Sequence, residues 1–153
     1  MRIRPGTAAD VPRALAIWRA AVDATHQFLT PEDRAEIHVL VAGFLPAAPL
    51  ILAEDEAGVH GFLVMDGKMI DALFVDPAVH GRGIGSLLLD HALSIAPHAI
   101  VDASEQASNA LPFYLARGFE ITGRSETDPD GRPYPLIHLV YRGTTRASKS
   151  STK

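Results

Sequence analysis

Apolar residues switch along this chain between a spacing of two and a spacing of three to four, and each switch marks an element. Residues 1–4 alternate as a short strand, which Pro5-Gly6 ends. Thr7 is a candidate N-cap, with Asp10 in the first turn, for a helix to about residue 24. Its apolar face carries Val11, Ala14, Leu15, Ile17, Trp18 and Val22. Thr30-Pro31-Glu32-Asp33 is a second start signal, with proline at the first helical position, for a helix to about residue 44 or 45. Residues 50–53 and 59–65 read as strands joined through Glu56-Ala57-Gly58, and Asp66-Gly67 is a hairpin turn into a strand over 68–75. Leu87, Leu88, Leu89, Ala92 and Leu93 return to helical spacing from Ser86 onward. A short buried strand follows over 98–103, a helix over 109–117 stopped by Gly118, and a strand from Phe119. Asp128-Pro129-Asp130-Gly131 is a turn, and 134–141 a last strand.

The order β-α-α-β-β-β-α-β-α-β-β predicts an α/β fold, a mixed sheet with helices on its faces. The 153 residues suit a single domain, read here over 1–142. Residues 143–153 are polar and basic without apolar periodicity and read as a disordered tail. The chain has no cysteine, so it has neither a disulfide, a thiolate metal site nor a cysteine nucleophile. The histidines show no metal-ligand spacing, and no metal is expected. A net charge of −4 argues against a general nucleic-acid binder, and no apolar run reaches membrane length. With no apolar leader after Met1, a cytoplasmic setting is expected.

The candidate chemistry centres on Leu73-Phe74-Val75-Asp76-Pro77-Ala78-Val79-His80-Gly81-Arg82-Gly83-Ile84-Gly85-Ser86. Pro77 cannot donate to a sheet ladder and ends the strand. Three glycines then let the backbone turn tightly and approach a ligand, and the helix beyond aims N–H groups at one point, a site for phosphate. A P-loop would need Gly-Lys-Ser/Thr, and a dinucleotide fingerprint would need a glycine where Ser86 stands.

The stretch resembles the acetyl-CoA signature of the GCN5-related N-acetyltransferases (GNAT), Gln/Arg-x-x-Gly-x-Gly/Ala at a strand end. His80 stands where glutamine or arginine is usual. Asn109, Phe113-Tyr114 and Gly118-Phe119 resemble the family's second landmark, and Tyr134-Pro135-Leu136 the ending of a small stand-alone bacterial branch. The resemblance covers residues 1–142. It implies that Leu73, Phe74 and Val75 pair through their backbone with the pantetheine arm, one N–H serving as oxyanion donor. It further implies that His80, Gly81, Arg82, Gly83, Ile84, Gly85 and Ser86 hold the pyrophosphate. Asn109 is implied to bind the arm, with helix N-cap as the competing reading, and Tyr114 to lie against the sulfur as leaving-group acid or anchor. Phe113 and Phe119 are expected in the core.

Asp71 is the first candidate for the base that takes the acceptor's proton, with Asp102, Glu105 and His26 as alternatives. The implied activity is acetyl transfer from acetyl-CoA to an amine in a ternary complex, since no cysteine is present to carry the acyl group. The alternative is a non-catalytic acyl-CoA sensor, which would have no use for Tyr114. The implied partners are acetyl-CoA and the amine acceptor, the chain acting as monomer or homodimer. The acceptor pocket is expected from residues 20–35, the 105–108 loop and the 126–134 hairpin, with an acidic cast from Asp23, Glu32, Asp33 and Glu36.

Overall fold

The computed structural model describes residues 1–143; the predicted tail lies outside the described residues apart from Gly143. The elements follow the expected order: β1 (Arg2–Pro5), α1 (Val11–Thr25), α2 (Pro31–Phe44), β2 (Ile51–Asp55), β3 (Gly58–Asp66), β4 (Met69–Val75), α3 (Ile84–Ile95), β5 (Ile100–Ser104), α4 (Ala110–Ala116), β6 (Phe119–Ser125) and β7 (Leu136–Tyr141). Thr7 caps a short 3₁₀ turn, Ala8–Asp10, that leads into α1. Thr30 caps α2, its hydroxyl accepting from the Asp33 N–H. Helix α3 starts at Ile84, two residues before the expected Ser86, because the Ile84 side chain is buried and anchors the first turn.

The residues pack as two compact units, Met1–Ile95 and a second starting at Ala96. In the first, β1, β2, β3 and β4 pair antiparallel in chain order. Ala14, Ile17, Trp18 and Val22 recur every three to four residues, so one face of α1 packs into a core with Leu45, Leu52, Phe62 and Val64. Each such side chain withdrawn from water stabilises the fold by roughly 2 kcal/mol before entropy is counted. Ile84, Leu88, Leu89 and Ala92 form the buried stripe of α3. The helix comes close because β3 offers Gly61, where a Cβ would lie 3.0 Å from both Leu88 Cδ1 and the Phe74 carbonyl oxygen. Gly61→Val is therefore expected to lower the unfolding free energy by about 1–3 kcal/mol. An unchanged denaturation midpoint would contradict that close approach.

In the second unit β7 lies between β5 and β6, antiparallel to both. Val101, Ala103, Ile137, Leu139, Phe119 and Tyr114 are buried. Phe119 is core as expected, but Phe113 is only half-buried: its ring lies at the surface, where the Arg117 guanidinium one turn on covers it at 4.0 Å. Strand β7 starts at Leu136, two residues later than expected. Arg132 and the Asp128 side chain hold residues 128–134 as a turn, with Asp128 Oδ1 accepting from the Asp130 and Arg132 N–H groups.

Candidate active site

Strand β4 ends at Val75, and the next four residues set up the loop. The Asp76 N–H donates to the His60 carbonyl (2.8 Å), while its carboxylate accepts from the Ala78 N–H (3.0 Å) and from Arg13 Nη2 (2.7 Å). These donors, the Ala78 N–H first, hold the Asp76 carboxyl below its usual range. Arg13, whose Nε also donates to the Val59 carbonyl, ties α1 to this corner, a link that no spacing in the sequence announced. Gly81 (φ +87°) and Gly83 (φ +77°) then take left-handed backbone positions, and a Cβ at either would meet nothing within 4 Å. Backbone shape, not crowding, calls for glycine here, and the space before the loop is open. The Leu87 N–H makes the first bond of α3, to the Gly83 carbonyl (3.0 Å), so the Ile84 and Gly85 N–H groups precede any helical acceptor. That cradle fits a pyrophosphate. His80 and Arg82 are exposed on it.

Backbone alternation supports the implied role of β4. Since the Asp76 N–H points to β3, the Val75 and Leu73 N–H groups fall on the side of β4 away from β3, while Phe74 faces β3 opposite Phe62. Asp71 lies on the same strand, at an apolar pocket of about 180 Å³ lined by Trp18, Val41, Phe44, Leu45, Phe62, Ala72 and Phe74. Desolvation in this setting, with a smaller contribution from the Asp66 charge, raises the Asp71 carboxyl above its usual range. No cation or amide pairs with it among the described residues, which removes the competing reading of Asp71 as an ion-pair partner.

This pocket is built from other residues than those expected to wall the acceptor site. Its walls come from the middle and end of α2 and from core-like positions such as Trp18 and Phe62, not from residues 20–35. Helical spacing had marked Trp18 only as core. The acidic cast is partly spent, because Asp23 pairs with Arg34 (2.8 Å). His26, half-buried and with its imidazole pKa lowered by burial, bonds the Thr25 hydroxyl through Nδ1 (2.7 Å) and does not line the pocket.

In the second unit Tyr114 is 6% exposed, packed edge-on against Phe113 and Phe119, and burial pushes its hydroxyl well above the phenol range. The hydroxyl has no hydrogen-bond partner among the described residues, which leaves a neutral donor. Asn109 precedes α4 but its side chain makes no capping bond, so the N-cap reading fails. Of the alternative bases, Glu105 is held by Arg124 (2.7 Å) and Asp102 by His138 (2.6 Å). Among the described residues no three His, Asp or Glu side chains gather to hold a metal ion. No helix there is long and apolar enough to cross a membrane.

Strand, left-handed glycine loop and helix N-terminus stand in the arrangement that the resemblance to acyl-CoA-dependent acyltransferases implies. The acetyltransferase (GNAT) domain family matches residues 46–121, and the chain belongs to that family. It is 46% identical to the peptidyl-lysine N-acetyltransferase YjaB of Salmonella typhimurium over 142 residues, 92% of this chain and 98% of the relative. It is 49% identical to YjaB of Escherichia coli over 130 residues, 84% and 88% of the two chains. The solution structure of apo YjaB from E. coli aligns with a TM-score of 0.89 at 46% identity, covering 94% of this chain and 98% of that one. The PaiA N-acetyltransferase of Thermoplasma acidophilum, solved with coenzyme A, shares the fold (TM-score 0.72, 16% identity, 90% and 96% covered). The protein is an N-acetyltransferase with acetyl-CoA as its donor, and a non-catalytic sensor is not favoured.

Proposed function

We propose that this chain acetylates the ε-amino group of lysine side chains in proteins, by direct transfer within a ternary complex in the cytoplasm. The observation that carries the reading is the pocket on β4. It is apolar enough to receive the four methylenes of lysine, and the exposed carboxylate of Asp71, raised by partial desolvation, is the only ionisable group that lines it among the described residues. The YjaB relatives, named for peptidyl-lysine acetylation, support the same acceptor.

Acetyl-CoA supplies the activated acetyl group. Asp71 takes a proton from the lysine ammonium, directly or through one water, so that a neutral amine attacks. The N–H of Leu73 or Val75 stabilises charge on the carbonyl oxygen. The loop residues 80–86 hold the pyrophosphate, and Asn109 the pantetheine arm. Tyr114 donates a hydrogen bond to the departing sulfur; its part and that of Asn109 rest on the resemblance. Neither nucleic acid nor membrane enters the reaction, and the chain acts as a monomer or homodimer.

Lysine-containing and lysine-free peptides, incubated with acetyl-CoA and read by mass spectrometry and thiol release, test the acceptor. Acetyl-lysine is expected; thiol release only with small free amines would replace this reading. Asp71→Asn is expected to lower turnover by about 10²-fold and to remove the acidic limb of the pH–rate profile, which the raised Asp71 places above the ordinary carboxylate range. Because the fold disfavours the ionised form of Asp71, stability falls as pH rises through its folded pKa. The Asn variant should then be no less stable at neutral pH, and a lowered melting temperature would attribute the lost turnover to unfolding.

A further inference from the structure

A serine, a histidine and an aspartate on the strands of the second unit form a hydrogen-bonded relay to which the mechanism proposed above gives no part. Asp102 on β5 stands opposite His138 on β7, and Ser125 on β6 stands opposite Leu136, two residues before His138. Alternation buries Val101, Ala103, Ile137 and Leu139 on one face of these strands and puts the three polar side chains on the other. Across from His138, β6 carries Gly123, where a Cβ would touch the ring at 3.5 Å, so the imidazole lies over a position without a side chain. His138 Nδ1 is 2.6 Å from Asp102 Oδ1, and Nε2 is 2.6 Å from Ser125 Oγ.

The chemistry of these groups fixes the direction of the relay. An ionised carboxylate only accepts, so in the neutral ring Nδ1 carries the hydrogen and donates it to Asp102. Nε2 is then the acceptor, and the Ser125 hydroxyl donates to it. That is the polarity a hydroxyl nucleophile needs, and it comes from side chains that stay reachable, since Asp102 and His138 are 31% and 34% accessible. On the same face, two residues beyond Asp102, the Ser104 hydroxyl is buried without a partner among the described residues, a spare donor beside the relay.

We propose that Ser125 is an activated nucleophile that takes the acyl group of small acyl esters, with His138 as its base and Asp102 as the positioning residue. Ser125 Oγ bonds to the acyl carbon, its proton passes to His138 Nε2, and the ester C–O bond breaks as that proton goes to the leaving alcohol. Water, deprotonated by His138, then releases the carboxylic acid and restores the serine. This is a second centre, independent of the acceptor assigned to the pocket on β4.

The test uses p-nitrophenyl acetate and, separately, a fluorophosphonate that reacts only with activated serines. Wild type is expected to release nitrophenolate and to gain one covalent adduct, mapped to Ser125 by peptide mass spectrometry. In Ser125→Ala the adduct should vanish, and in His138→Gln its rate should fall by about 10³-fold or more. Amine acetylation from acetyl-CoA by Ser125→Ala should stay within about twofold of wild type, which separates this centre from the acetyltransferase site. An unlabelled Ser125 in the wild-type protein, a result that needs no variant to fold, overturns the proposal. Equal nitrophenolate release by Ser125→Ala overturns it too.

Discussion

Gly83→Glu is expected to abolish acetyl-CoA binding, with titration calorimetry giving a saturable isotherm for the wild type and an affinity at least about 10²-fold weaker for the variant. Two effects add. The backbone at Gly83 sits at φ +77°, where any side chain costs about 1–2 kcal/mol, roughly a tenfold loss if the loop shifts to escape it. The new carboxylate also projects into the open space before the loop, where the pyrophosphate charge is to be held. Gly83→Ala separates the two, since it carries the strain without the charge and should lose only about tenfold. The extra loss in the glutamate variant is then electrostatic and should shrink at high salt. Undiminished binding by Gly83→Glu, in a protein whose melting temperature shows it folded, would reduce the glycine loop to a structural turn.

Tyr114→Phe should cut turnover by about 10²-fold while acetyl-CoA affinity changes by no more than about threefold, because one hydrogen-bond donor to a developing charge is worth about 3 kcal/mol. The buried position refines the expected role. A hydroxyl pushed up so far holds its proton more tightly than a thiol of ordinary pKa, about 8.5, so full proton transfer to the departing sulfur is uphill. Donation of a hydrogen bond to the thiolate, with the proton staying on Tyr114, is the favourable act. The wild-type pH–rate profile should accordingly show no basic limb from Tyr114 at or below pH 10. Phenylalanine keeps the edge-on packing against Phe113 and Phe119, so stability should change little. Equal losses in turnover and affinity would make Tyr114 a binding residue.

Much of this was legible in the chain. Element order and most boundaries follow from local chemistry, as with Thr30 and Pro31 opening α2 or Gly118 closing α4. The glycine loop was legible too, because left-handed backbone leaves its mark in residue type. Boundaries failed where burial overrode the local signal, as when Ile84 drew the start of α3 forward. The pocket on β4 was the least legible. Trp18 and Phe62 line the pocket and also sit in the core, and periodicity cannot tell a wall from a filling. Gly61 carried no turn signal, since its role is to admit Leu88 and Ile84 from another element.

The sequence by itself determined the class of fold and the left-handed glycine loop, because each rests on residues adjacent in the chain whose backbone preferences act locally, and the motifs on that loop carry the resemblance that implies acetyl-CoA chemistry. Tertiary structure alone decided which polar residues meet. Insertion of β7 between β5 and β6 sets Asp102, Ser125 and His138 within hydrogen-bond reach, and packing of α1 on the sheet brings Arg13 to Asp76. Those pairings follow strand register and helix packing, which burial of apolar faces fixes across the whole fold and which no short stretch of sequence contains.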